Sequence, residues 1–263
     1  MDTMELVSRF YENYDEESRL LSRHGSVEYL TTMRYIERYL KPGMRVLEIG
    51  AATGRYSHAL ARQGYAVDAV ELVQHNIDIF NTLTQPGENI TIRQGDARDL
   101  SAFGDESYDI VLLLGPMYHL FTEADQHKAL SEALRVTKKG GVLFSAYCGN
   151  DATMVNFCFG QEMLKDEKYQ SLVDPVTFKA IADPAETFVL YRREDVEALM
   201  AHYNVTRLHF VGSDMFTGYM REAVEAMDDA FFEVYLRYHF ATCERPDLVG
   251  ASHHFLDICR KDR

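Results

Sequence analysis

The chain has 263 residues, 46% of them hydrophobic and 26% charged, and a formal net charge of −14 at pH 7. This composition belongs to a folded globular protein and excludes an intrinsically disordered one. The longest apolar stretch, Ile110 to Tyr118, is broken by Gly115 and Pro116, well short of the roughly 20 residues that a membrane-spanning helix needs. The negative charge is spread over both halves of the chain, and Lys and Arg never run beyond two in a row. Neither a polyanion such as nucleic acid nor a membrane is therefore expected as a partner.

Met1 to Phe10 is mixed polar and charged, without the apolar core of a signal peptide. The four cysteines, Cys148, Cys158, Cys243 and Cys259, form no CxxC pair. Reduced thiols and a cytoplasmic location are the expectation. No metal site is expected either. His253 and His254 are adjacent on a predicted strand and so point to opposite faces, and His119 and His127 carry no ligand spacing.

Residues 1–40 read as helical, with apolar positions such as Leu30, Met33, Ile36 and Leu40 spaced three to four apart. Lys41-Pro42-Gly43 stops that pattern. Short apolar runs then alternate with amphipathic stretches. The predicted strands are Arg45–Ile49, Ala66–Leu72, Ile90–Arg93, Tyr108–Leu114 and Gly141–Tyr147. Helices are predicted between them at Tyr56–Gln63, Gln74–Leu83 and Glu123–Thr137. This alternation argues for a parallel sheet with helices on both faces. The run Ile110-Val111-Leu112-Leu113-Leu114 suits a central strand buried on both sides.

Residues 149–203, with Pro175 and Pro184, break the rhythm and read as an insertion or cap. A strand at Asn204–Val211, a long helix at Asp214–Thr242 and a strand at His253–Cys259 follow. The chain divides into an N-terminal helical cap (1–40), a core (41–148), the insertion (149–203) and a strand–helix–strand ending (204–263) that completes the same sheet.

The segment Val46 to Tyr56 carries the strongest chemical signal. A strand runs through Glu48-Ile49 into the turn Gly50-Ala51-Ala52-Thr53-Gly54 and then into a helix. Glycines let backbone approach a ligand, and a helix N-terminus offers free N–H groups. The GxxxG spacing fits neither the dinucleotide fingerprint GxGxxG nor the phosphate loop GxxxxGK[ST]. Glu48, just before the turn, would repel a pyrophosphate but attract a cationic or amine-bearing ligand.

With these residues the chain resembles the class I S-adenosylmethionine-dependent methyltransferases, whose first motif is Glu/Asp-x-Gly-x-Gly-x-Gly. Here it stands as Glu48-Ile49-Gly50-Ala51-Ala52-Thr53-Gly54, with Ala52 for the central glycine. The resemblance covers roughly residues 40–148, with weaker support over 204–261. It implies a Rossmann-like, doubly wound seven-stranded α/β sheet, mostly parallel, with an antiparallel last strand and helical caps. It implies S-adenosylmethionine as cofactor and S-adenosylhomocysteine as product. Glu48, Gly50, Ala51, Thr53 and Gly54 would form the cofactor turn. Glu71, with Leu72, would take the ribose hydroxyls, Asp96 and Ala97 the adenine, and Leu114 the methionine part. An N-terminal helix of this kind, here Phe10 to Asp15 with Arg19, closes over the cofactor in many relatives, which adds Tyr14 and Arg19 to the cofactor contacts.

The implied chemistry is in-line transfer of a methyl group from a sulfonium to a nucleophile. In Pro116-Met117-Tyr118-His119, His119 is the candidate general base, or else only a packing residue. Tyr118 and Tyr147 are candidate acceptor contacts. The Met- and aromatic-rich stretch Met215 to Tyr235 is expected to pack in the core, with an aromatic acceptor pocket as its other use. Leu114-Gly115-Pro116-Met117-Tyr118 lacks the Asn/Asp-Pro-Pro-Tyr/Phe pattern of base-methylating enzymes, which with the charge favours a small-molecule acceptor. A protein or RNA methyltransferase and a non-catalytic cofactor-binding protein are the alternatives. The acceptor, the atom methylated and the oligomeric state are not legible in the sequence.

Overall fold

The computed structural model describes residues 3–262 apart from 13, 15 and 187. Three helices open the chain: α1 (Thr3–Tyr11), α2 (Glu16–Arg19) and α3 (Arg23–Tyr39). The hydroxyl of Ser22 caps α3 by accepting from the Gly25 N–H. Helix α3 buries Met33, Tyr35 and Ile36 against the sheet. Then follow β1 (Arg45–Ile49), α4 (Arg55–Arg62), β2 (Ala66–Glu71), α5 (Gln74–Leu83), β3 (Ile90–Gln94), β4 (Tyr108–Leu113), α6 (Glu123–Val136) and β5 (Thr137–Gly149).

The C-terminal half adds α7 (Asn150–Thr153), α8 (Glu167–Gln170), β6 (Leu190–Tyr191), α9 (Arg193–Met200), β7 (Val205–Gly212), α10 (Arg221–Glu225), α11 (Asp229–Thr242) and β8 (His254–Lys261). The sheet order is β3-β2-β1-β4-β5-β8-β7, with the two-residue β6 beside the end of β5. Strands β1 to β5 pair in parallel, and β8 runs antiparallel to both β5 and β7. The architecture is the expected one, with β6 as an eighth strand.

Alternation along the central strands builds two core layers. Val46, Ile110, Leu112 and Phe144 face α3 and α4, while Leu47, Val111, Leu113 and Leu143 face α6 and α9. The chain leaves β1 toward β2 on one side, and β4 lies on the other. That reversal opens a crevice at the carboxyl ends of β1 and β4, where ligands bind in sheets of this kind.

Two expectations need correction. The helix expected over Asp214–Thr242 is broken into a 3-10 turn (Met215–Met220), α10 and α11. Met215 takes a left-handed φ of 44°, and Asp228 starts α11 afresh by accepting from the Phe231 N–H. Of the Met- and aromatic-rich stretch expected to pack in the core, Met215 is buried, while Met220 and Phe231 are exposed. The segment expected as one insertion over 149–203 also divides. Val189, Tyr191, Val196, Leu199 and Met200 belong to the main core, so the sheet's packing resumes at about residue 189. Among the described residues, no helix is long and apolar enough to cross a membrane.

Candidate functional site

The turn after β1 is shaped by two glycines and held by β2. Gly50 and Ala51 both donate their N–H to the Val70 carbonyl, at 2.8 and 3.0 Å. Gly50 has φ 75°, and a Cβ there would lie 2.7 Å from Pro116 Cδ. Gly54, at φ 88°, caps α4, and a Cβ would lie 2.3 Å from the Phe80 ring. Ala52, where the resemblance places a glycine, is itself left-handed at φ 48°. The conformation of the glycine-rich turn is thus kept with a methyl group in place.

Glu48, Gly50, Ala51 and Thr53 line a narrow cleft of about 110 Å³ above this turn. Glu71 and Leu72 close one side, Asp96 and Ala97 another, and Leu114 a third. Nine of the residues read as cofactor contacts therefore meet around one cleft. Gly54 supports it from below, packed under Phe80. Arg19 reaches the cleft from α2. Tyr14 does not; it lines a second cavity beside it. Asn13 and Asp15 lie outside the described residues.

Each acidic group of the cleft is held differently. Glu71 Oε2 accepts from the Ala52 N–H at 2.8 Å, and Oε1 accepts from the Val73 N–H at 2.9 Å. Glu48 is buried and accepts from the Ser57 hydroxyl. Burial pushes its carboxyl up to about 8, because a charged group loses its hydration there. Asp96 is gripped by the Arg98 guanidinium, with Nη2 2.7 Å from Oδ2 and Nε 3.1 Å from Oδ1. Although burial opposes ionisation, the Arg98 hydrogen bonds and charge hold this carboxyl below its ordinary range.

His119 lies on a buried 3-10 turn, Pro116–His119, directly after β4. Its Nε2 is 2.9 Å from the Tyr11 hydroxyl oxygen. Tyr11, Tyr118 and Phe188 surround the ring at centroid distances of 5.4, 4.8 and 5.2 Å. β6 and the residue before it tie this turn down: the Val189 N–H donates to the Tyr118 carbonyl at 2.7 Å, and the Tyr191 hydroxyl to the Met117 carbonyl at 2.8 Å. These tethers were missed in the sequence, since nothing near Tyr118 signals a partner about 70 residues on.

The second cavity, about 550 Å³, has mostly apolar and aromatic walls, including Phe10, Phe157, Tyr169 and Phe188. Tyr11, Arg19 and Tyr118 line both spaces, so the two meet there. Tyr147 is not a contact of either. It is fully buried in the core against Tyr191, 5.0 Å between ring centroids. On β5 the side chains alternate, and it is the next residue, Cys148, that lines the second cavity.

One end of that cavity is charged. Glu28, Asp214 and His254 each bring a ligand-type atom within 4.8 Å of the others. No such cluster was legible in the sequence, where a metal site was not expected. His254 Nδ1 is 2.7 Å from Asp214 Oδ2 and 3.5 Å from Glu28 Oε2, and Arg19 donates to Glu28 at 2.8 Å. The two carboxylates hold the His254 imidazole well above its ordinary range against the opposing effect of burial. An imidazolium and a guanidinium thus already balance both carboxylates.

Residues 47–145 match the family model described as a methyltransferase domain. A ubiquinone biosynthesis O-methyltransferase of Caulobacter vibrioides is 32% identical over 105 residues, 40% of this chain and 40% of that protein. A protein of the same description from Hahella chejuensis is 23% identical over 200 residues, covering 74% of this chain and 82% of that one. The chain spans about half the length of most of the curated relatives it matches. Among solved structures, phosphoethanolamine N-methyltransferase 1 of Haemonchus contortus, in complex with phosphoethanolamine and S-adenosylhomocysteine, aligns with a TM-score of 0.61. At 15% identity, over 99% of this chain and 49% of that one, the likeness is one of fold.

Proposed function

The chain belongs to the class I S-adenosylmethionine-dependent methyltransferases, and from that premise we propose that it methylates a small molecule held in the second cavity. The observation that carries this reading is the meeting of the two spaces at Tyr11, Arg19 and Tyr118. A donor in the cleft and an acceptor in the cavity would face each other across those three side chains.

The cleft fits S-adenosylmethionine by its chemistry. The close approach of backbone at Gly50 and the two-oxygen carboxylate of Glu71 suit a nucleoside with adjacent hydroxyls. When bound, the cofactor supplies an electrophilic methyl group on a sulfonium. The chain's own residues do the rest. Glu71 holds the ribose, the turn after β1 orients the ligand, and the N-terminal segment excludes water through Tyr11 and Arg19. His119, lining the cleft beside the junction, takes a proton from the acceptor where the acceptor must lose one.

The walls of the cavity favour an acceptor with a flat apolar body. Its size, about 550 Å³, lies within the usual range of small-molecule pockets, roughly 300–1,000 Å³. The quinone names of several curated relatives support a small-molecule acceptor. A cytoplasmic site of action is part of the same proposal. The test is methyl acceptance across a metabolite panel with radiolabelled cofactor, beside calorimetry with S-adenosylhomocysteine. Product-form binding with transfer to a small aromatic acceptor is the expected result. Transfer only to protein or RNA, or cofactor binding with no transfer, would replace the reading.

A further inference from the structure

The second cavity carries a charge pattern opposite to that of the chain, whose net charge is −14. Among the described residues, its acidic lining is Glu28 and Asp214, and both are already matched. Glu28 accepts from Arg19 at 2.8 Å and lies 3.5 Å from His254 Nδ1. Asp214 Oδ2 meets the same nitrogen at 2.7 Å, and Oδ1 accepts from the Ser252 hydroxyl at 2.6 Å and the His253 N–H at 2.9 Å. With Nδ1 turned to the carboxylates that hold the ring protonated, Nε2–H is the His254 donor left for the cavity. His24 also lines the cavity and is matched by Glu225 at 2.6 Å. Arg221 is the remaining cation. It is exposed at the rim, where the cavity borders an outer groove, and among the described residues it has no ion pair. His253, fixed against Gly218, adds no charge: burial, then the charges of His254 and Arg221, hold its imidazole below the ordinary range against Asp214. Arg19, Arg221 and the His254 imidazolium thus face two carboxylates, and one positive charge is in excess.

We propose that the methyl acceptor carries a carboxylate on its flat apolar body, and that the His254 Nε2–H and the Arg221 guanidinium seat that carboxylate. The proposal rests on the reading of this cavity as the acceptor's place. The apolar and aromatic walls, among them Phe157 and Tyr169, take the body of the molecule. Beside such walls a charge-assisted hydrogen bond to a carboxylate is stronger than one to a neutral carbonyl. One excess positive charge suits a monoanion. A phosphate monoester, with about 1.5 to 2 negative charges at neutral pH, would overshoot it, and a cationic group would add to the excess.

The experiment measures binding of four probes with one aromatic body to the full chain at neutral pH: 2-naphthoate, 2-naphthamide, 2-naphthylmethylamine and 2-naphthyl phosphate. The carboxylate is expected to bind about tenfold tighter than the amide, and tighter than the amine and the phosphate. Arg221→Gln, a change at an exposed side chain, is expected to weaken the carboxylate about threefold or more and to leave the amide unchanged. His254→Gln keeps a neutral N–H donor and loses the charge, and is expected to shrink the carboxylate-to-amide ratio further. Equal binding of carboxylate and amide, preference for the amine or the phosphate, or a carboxylate affinity untouched by Arg221→Gln overturns the proposal and leaves the cavity as a site for flat molecules. Binding of none of the four overturns the reading of the cavity as well. Calorimetry with S-adenosylhomocysteine on the same preparation reads the cofactor assignment separately.

Discussion

The Ala52 N–H donates to Glu71 Oε2 at 2.8 Å, across 19 residues, from a left-handed backbone conformation. The same carboxylate that faces the cleft therefore also holds the glycine-rich turn in shape. Glu71 thus joins a ligand-binding role to a structural one, through Val73 on one oxygen and Ala52 on the other.

Replacing this carboxylate tests the ribose assignment. Glu71→Gln keeps one acceptor oxygen for the turn and loses the charge. It is expected to weaken S-adenosylhomocysteine binding by roughly ten- to a hundredfold, the worth of about 1.5–3 kcal/mol for a hydrogen bond to a charged group. Calorimetry reads the affinity, and a thermal melt of the ligand-free protein shows whether the turn survived. Unchanged affinity would mean that the ribose is held elsewhere.

Ala52 offers the opposite kind of test. A left-handed alanine costs about 1–2 kcal/mol that glycine does not incur, partly offset by the greater freedom of glycine in the unfolded chain, about 0.4–1 kcal/mol. Ala52→Gly is therefore expected to leave stability unchanged or raise it by up to about 1.6 kcal/mol. The same Ala→Gly change in the middle of α6, at Ala129, is expected to cost about 1 kcal/mol from helix propensity alone, and more from the lost methyl. Urea unfolding of the two variants separates these signs. A clear loss of stability at Ala52 would show that its methyl group makes a contact worth more than the strain.

Glu48 predicts a pH dependence. Its folded value of about 8 stands above the ordinary 4.5 because burial opposes the charge. Between those values the folded chain holds a proton that the unfolded chain releases. The stability linked to this group is full below about pH 4.5 and is lost as pH rises through about 8, at up to about 1.4 kcal/mol per unit. Glu48→Gln is neutral at every pH. The variant's stability relative to wild type is expected to improve steadily from about pH 5 to about pH 8 in urea titrations. A difference that does not change with pH would mean that the buried carboxyl ionises normally.

What could be read in advance was local, and what could not was assembled by the fold. The turn Gly50 to Gly54 follows from strand, turn and helix signals within a few dozen residues, and the acid at Glu71 was implied by the family resemblance. Their meeting at one cleft is a consequence of parallel pairing between β1 and β2. Tyr147 was placed in the pocket one position away from the residue that reaches it, Cys148, because a shift of one residue on a strand exchanges its two faces. The helix expected over Asp214–Thr242 ignored two stop signals, a left-handed Met215 and the cap at Asp228. Apolar spacing alone does not show them. Glu28, Asp214 and His254 come from three segments more than two hundred residues apart at the extremes, and no spacing rule connects them.

The role of His119 rests on its place beside the junction and on its contact with Tyr11. If the imidazole accepts a proton from the acceptor, His119→Ala is expected to lower turnover by roughly 10²- to 10⁴-fold while leaving S-adenosylhomocysteine affinity nearly intact. Tyr11→Phe removes the hydroxyl 2.9 Å from Nε2 but keeps the ring that packs edge-on against it. A base oriented by that hydroxyl should lose part of its rate in Tyr11→Phe, with the same limb in the pH profile. A histidine that only packs should instead lose stability in the alanine variant and spare turnover, because its centre is filled by contacts with Tyr118 and Phe188. The pH profile of turnover separates the two cases, provided that the acceptor used does not titrate in the same range. A rising limb near neutrality that vanishes in His119→Ala assigns the proton to this imidazole. A limb that survives the substitution removes His119 from the chemistry. Transfer would then depend on orientation at Tyr118 and on an acceptor that arrives already nucleophilic.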